Sequence, residues 1–132
     1  TIATILMQSS HASLVLILTA LSASQITYEN AIALTIGANI GTTITAVIGS
    51  LGASLEGKKL AGAHFLINTV TGLILVWFVP QFIILIDYTA PLLGIDVDDY
   101  ALKLALYHTY FNFLCVILPI FKYYFTIFSC FY

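Results

Sequence analysis

The chain has 132 residues, 61% of them hydrophobic and 8% charged, with a formal net charge of −2. A soluble domain carries about 25% charged residues, so the composition excludes an ordinary water-facing surface and reads as an integral membrane protein. The four cationic side chains are Lys58, Lys59, Lys103 and Lys122, which excludes the basic face that nucleic-acid binding needs.

In chain order, the first apolar stretch is residues 1–7, followed by the polar run "QSSHAS" and a second apolar arm, 14–21. Each arm is shorter than the roughly 20 residues a membrane span requires. Residues 1–22 therefore read as a re-entrant hairpin turning at Gln8, Ser9, Ser10 and His11. The opening residues read as an apolar arm already under way, with no basic leader region or cleavage site. The chain is accordingly expected to be a piece of a longer one. "SASQITYEN" follows as a surface connection, with Thr27 as the N-cap of the next helix and Glu29 in its first turn.

Residues 28–51 are long enough to span, but "GANIGTT" at 37–43 interrupts them, and the segment reads as a broken helix. A polar loop carrying Lys58 and Lys59 leads to a nearly uncharged helix over 60–86, with Pro80 near its far end. An acidic loop with Asp87, Asp96, Asp98 and Asp99 precedes a last span over 101–121, which Pro119 kinks or ends. Asp99 and Lys103 stand at i,i+4 and are expected to pair. The lysines at 58, 59 and 122 place their side in the cytoplasm and the acidic loop outside. The fold class is thus an all-α membrane protein forming a single transmembrane domain.

The two breaks carry the chemistry. Unpaired backbone at membrane depth is tolerated only where protein buries it or water reaches it. The N–H end of a half-helix carries about half a positive charge and attracts anions, while the C=O end attracts cations. Gly37 and Gly41 allow close backbone approach, Asn39 can donate and accept, and Thr42, Thr43 and Thr45 add hydroxyls. The alternative is that the glycines and threonines simply permit tight helix packing. No cationic side chain lies near either break. A buried anion there needs help from cations bound alongside it, and an anion–sodium symporter follows, with sodium as the coupling ion and no other cofactor.

An internal echo adds to this. "AHFLIN" at 63–68 and "YHTYFN" at 107–112 each set His and Asn four apart on one helix face. His64, Asn68, His108 and Asn112 are candidates for a supporting role, or for interhelical hydrogen-bond contacts worth about 1 kcal/mol each.

The "QSS" at 8–10 and the "GANIGTT" segment together resemble the type II sodium–phosphate cotransporter family and its bacterial relatives, in which a Q-S-S-S hairpin and a G-x-N-I-G-T-[TS] segment recur in two inverted repeats. The two His/Asn helices are similar to the segments that follow. The resemblance runs over about residues 1–119 and corresponds to one repeat half. It implies that Gln8, Ser9 and Ser10 bind phosphate and sodium and that Asn39, Thr42 and Thr43 line the same site. It also implies a second repeat half or a homodimer partner, and a plasma (bacterial inner) membrane. The family's third serine is His11 here, which cannot copy a sodium-binding hydroxyl, and each motif occurs once.

Other readings stay open: a symporter of another small anion, or a non-transporting membrane fragment or subunit. Enzyme chemistry is not expected, since Ser10 beside His11 is no catalytic pair and no acid is placed to orient the imidazole. The aspartates lack the spacing of a calcium loop. Cys115 and Cys130 read as small apolar fillers, and Tyr88, Tyr100, Tyr123 and Tyr124 as interfacial anchors.

Overall fold

The computed structural model describes residues 1–130, with side chains through Ile120. The expectations for Lys122, Tyr123, Tyr124 and Cys130 concern side chains outside the described residues. Six α-helices follow one another: α1 (Ile2–Met7), α2 (Ser10–Ser22), α3 (Tyr28–Gly49), α4 (Leu55–Trp77), α5 (Val79–Thr89) and α6 (Tyr100–Cys130). Among the described residues there is no strand. Three stretches are long and apolar enough to cross a membrane: Tyr28–Gly52, Leu55–Trp77 and Tyr100–Ile120.

α1 and α2 fold back on each other across a two-residue turn. Gln8 takes the left-handed conformation (φ 53°) and donates its N–H to the carbonyl of Thr4. Ser9, in extended backbone, caps α2 by accepting from the Ala12 N–H at 3.2 Å. The pair is tied by the Ser13 hydroxyl, which donates to Thr4 Oγ1 at 3.0 Å. At 1.5 Å per residue, α1 is about 9 Å long and α2 about 20 Å, both short of a 30 Å hydrocarbon core.

α3 starts where its caps place it, with the Thr27 hydroxyl accepting from the Asn30 N–H and Glu29 in the first turn. It then runs unbroken through residues 37–43, which corrects the broken helix expected over 28–51. Two local causes account for this. Gly37 and Gly41 lie on the face that meets the start of the chain. A Cβ on Gly37 would stand 2.9 Å from Thr1 Oγ1, and one on Gly41 would stand 2.7 Å from the Thr1 carbonyl and 2.8 Å from Thr4 Cβ. These glycines serve close helix approach, not a backbone turn. The threonines meanwhile hydrogen-bond back along their own helix: Thr42 to the Ala38 carbonyl (2.9 Å), Thr43 to Ile40 (2.7 Å) and Thr45 to Thr42 (2.6 Å). Such bonds satisfy a hydroxyl in an apolar setting without opening the helix.

The span expected over 60–86 is two helices. Ser54 caps α4 by accepting from the Gly57 N–H, so Lys58 and Lys59 sit in its first turns and not in a loop. α4 stops at Phe78 and α5 restarts with Pro80 in its first turn, where a missing N–H costs nothing. α6 is capped by Asp99, whose carboxylate accepts from the Leu102 N–H at 2.9 Å. That role replaces the expected Asp99–Lys103 pair: Lys103 instead meets Asp87 at 2.7 Å, tying α6 to α5. α6 continues through Pro119, so that proline does not end the helix.

α3 is the hub, packed by α1, α2, α4 and α6. Ile32 and Ile36 of α3, Ile86 of α5 and Leu104, Tyr107 and Phe111 of α6 fill the apolar interior. Gly72 of α4 lets Ile36 and Ile40 of α3 close in, since a Cβ there would stand 3.0 and 3.1 Å from them. The two ends of the bundle differ in charge. Glu29, Asp87, Tyr100 and Lys103 gather around one mouth, and Lys58 and Lys59 lie at the start of α4, beyond the far end of α3.

Candidate functional site

Near the middle of the three spans, a cleft of about 330 Å³ is lined by Ser10 and His11 of α2, Asn39, Thr42 and Thr43 of α3, His64 and Asn68 of α4, and His108 and Asn112 of α6. Every residue that lines it carries a polar group, although the helices that supply it are apolar. The helical period explains the convergence: His64 with Asn68, and His108 with Asn112, each fall on one face of their helix. Ser10 and His11, the first two residues of α2, reach the same level.

The hydrogen bonds within it are specific. His108 Nε2 and Asn39 Oδ1 are paired at 3.1 Å, joining α6 to α3 across 69 residues of sequence. Asn68 Nδ2 donates to the His64 carbonyl at 3.1 Å, and Asn112 Nδ2 to the His108 carbonyl at 2.8 Å. The sequence echo is thus also a structural echo, each asparagine bonding back to the histidine one turn earlier. Cys115 Sγ donates to Asn68 Oδ1 at 3.7 Å. Asn39 is 6% exposed, and its Nδ2 has no hydrogen-bond partner among the described residues. A donor held so costs about 1–3 kcal/mol relative to a paired one.

Of the residues singled out in the sequence, Ser10, His11, Asn39, Thr42, Thr43, His64, Asn68, His108 and Asn112 come together here. Gln8, Ser9, Gly37 and Gly41 do not line the cleft. Gln8 is the exposed left-handed corner of the turn, Ser9 is the cap of α2, and the two glycines are packing surface. The link from Asn39 to His108 escaped the sequence reading, because no spacing relates positions 69 apart. Buried Thr71 and the Thr69 hydroxyl, which has no partner among the described residues, were missed as well; their signal was a polar pair in an uncharged span.

The cleft has no lysine lining it among the described residues. Its three histidines are not arranged as a metal site: among the described residues no group of three His, Cys, Asp or Glu could hold a metal ion. At the acidic end a larger cleft, about 820 Å³, opens among Tyr28, Glu29, Asp87, Tyr100 and Lys103. Its cation is already paired with Asp87, so the mid-span cleft is the stronger candidate for a solute.

Membrane-length helices around a cleft of amides, hydroxyls and imidazoles define an integral membrane protein whose polar chemistry lies within its helical bundle. The family whose sequence profile matches residues 1–121 is described as the Na+/Pi-cotransporter family. The chain belongs to that family, a family of transporters for which sodium and phosphate are the transported species. No curated protein and no solved structure matches the chain.

Proposed function

We propose that the mid-span cleft is the site of sodium-coupled phosphate symport. The observation that carries this reading is the convergence of nine polar side chains from four helices on one cleft with no lysine in its lining among the described residues. The free N–H groups at the start of α2 and the Ser10 hydroxyl supply donors suited to an anion. Each threonine hydroxyl already donates to its own helix and keeps lone pairs for a cation. A phosphate here still carries one or two negative charges that the cleft does not neutralise. Sodium bound alongside lowers that cost, which is the physical basis of coupling.

The turn at Gln8 and Ser9 precedes residues that share a cleft with mid-span Asn39, which supports a re-entrant course for α1 and α2. His11, His64 and Asn112 are exposed at the cleft. Polar side chains at this depth face protein or water, not lipid. A second copy of the chain, or a second repeat half, covers them. The lysine end lies in the cytoplasm of a plasma (bacterial inner) membrane by the positive-inside rule.

The test is radiolabelled phosphate uptake into proteoliposomes with sodium or potassium outside. Uptake is expected to require sodium and to fall about tenfold in Ser10→Ala, the loss expected for one hydrogen bond to a charged ligand. Uptake that is absent, or indifferent to sodium, overturns the reading.

A further inference from the structure

We infer that His108 is a positioning residue that decides which end of the Asn39 amide meets the bound solute. It holds the carbonyl end, so Asn39 offers an N–H donor to the anion and does not ligate sodium. The consequence for transport rests on the reading of the cleft as a phosphate site.

An asparagine amide can be turned end for end, presenting either a donor or an acceptor. Little in the cleft other than His108 constrains Asn39: its Oδ1 lies 3.1 Å from His108 Nε2, and its Nδ2 has no partner among the described residues. Oδ1 only accepts, so Nε2 carries a proton in this arrangement. If that proton moved to Nδ1, Nε2 would become an acceptor. The amide would then turn, donate to His108 and leave its carbonyl uncommitted. The position of one imidazole proton on α6 therefore sets the sign of the dipole that α3 presents at mid-span.

Asn112 has the opposite commitment. Its Nδ2 donates to the His108 carbonyl at 2.8 Å, and its Oδ1 has no hydrogen bond among the described residues, the chemistry a cation needs. Residue His108 thus orients two amides, Asn39 through its ring and Asn112 through its backbone. The first is set for an anion and the second is compatible with sodium.

Two measurements test this. The first is 15N NMR of the full chain labelled at histidine, with His11→Gln and His64→Gln variants to assign the signals. A protonated Nε2 on His108 at neutral pH is expected, and a bare Nε2 with the proton on Nδ1 would overturn the inference whatever the protein transports. The second is the binding of radiolabelled inorganic phosphate to the purified full chain in sodium. His108→Leu is expected to weaken binding about tenfold, the value of one hydrogen bond to an anion, and His108→Gln, which keeps an N–H for Oδ1, to restore most of it. Asn39→Asp keeps an acceptor oxygen toward His108 and replaces the amide donor with a second, negatively charged oxygen. It should weaken phosphate binding at least as much while leaving the sodium concentration for half-maximal binding in place. Unchanged phosphate affinity with a shifted sodium requirement in Asn39→Asp would make Asn39 a sodium ligand and refute the inference. An unaltered chain that binds no phosphate refutes the functional reading and the role in transport, and the NMR result still decides the orientation of the amide.

Discussion

Ser9 belongs to the polar run at residues 8–11 without lining the cleft. Its hydroxyl accepts from the Ala12 N–H, closing the first turn of the helix whose start reaches the polar cleft. Ser9→Ala should therefore lower the stability of α2 by about 1 kcal/mol, the usual value of an N-cap. Ser9→Asn, which can cap equally well, should keep both the helix and phosphate binding; circular dichroism and binding on the same samples check this. Loss of binding in Ser9→Asn with the helix intact would instead make Ser9 a ligand. Gln8 stands at φ 53°, where glycine is unstrained, so Gln8→Gly should be at least as stable as the unaltered chain in thermal unfolding. The polar character of residues 8–11 was legible in the sequence. The division of labour among them was not, because a cap and a ligand use the same hydroxyl chemistry and only the backbone angles separate them.

At the level of elements, α3 is the instructive case. Two glycines, an asparagine and three threonines in an apolar stretch favour a broken helix in the sequence, with a packing surface as the lesser alternative. The deciding fact lies outside α3: residues Thr1 and Thr4 press on Gly37 and Gly41. Gly41→Val should force α1 away and cost about 1–3 kcal/mol, as overpacking does, measured by denaturant unfolding in detergent. A variant of unchanged stability would remove the packing role. The helix boundaries around Pro80 follow the same logic, since a proline ends one helix or begins the next and the sequence alone weighs the two evenly. The α5–α6 junction depends on Lys103, 3% exposed, meeting Asp87. Asp87→Asn leaves that ammonium buried without its counter-charge. Because the Asp87 side chain is half open to solvent, the cost should be roughly 2 kcal/mol, below the 3–5 kcal/mol of a fully buried pair. Lys103→Met in the same chain should recover part of it. The nearer candidate partner, Asp99, is drawn instead into capping α6, a competition that i,i+4 spacing does not reveal.

At the scale of the whole molecule, the described residues combine an apolar interior with buried polar side chains and large exposed apolar ones. Asn39, Thr43, Asn68 and Thr71 are buried, while Leu66, Leu73, Trp77 and Val116 are exposed. In water this would be costly on both counts; in a bilayer the apolar side chains face lipid and the polar ones must find protein or each other. Composition alone made the membrane legible, and the His/Asn echo made two walls of the cleft legible, because helical period fixes which residues share a face. The meeting of four helices at one depth was not legible, since it depends on how far α2 reaches into the bundle and on the contact between Asn39 and His108.

The central claim is that this cleft holds phosphate together with sodium, and the most direct measurement is equilibrium binding of radiolabelled phosphate to the purified full chain, in sodium and in potassium, for the unaltered protein and for Ser10→Ala and Thr42→Val. Binding is expected to require sodium and to weaken about tenfold in each variant, Ser10→Ala losing a hydrogen bond to the anion and Thr42→Val an oxygen that faces sodium. Binding that is equal in potassium, or unchanged in both variants while they remain folded, would contradict it.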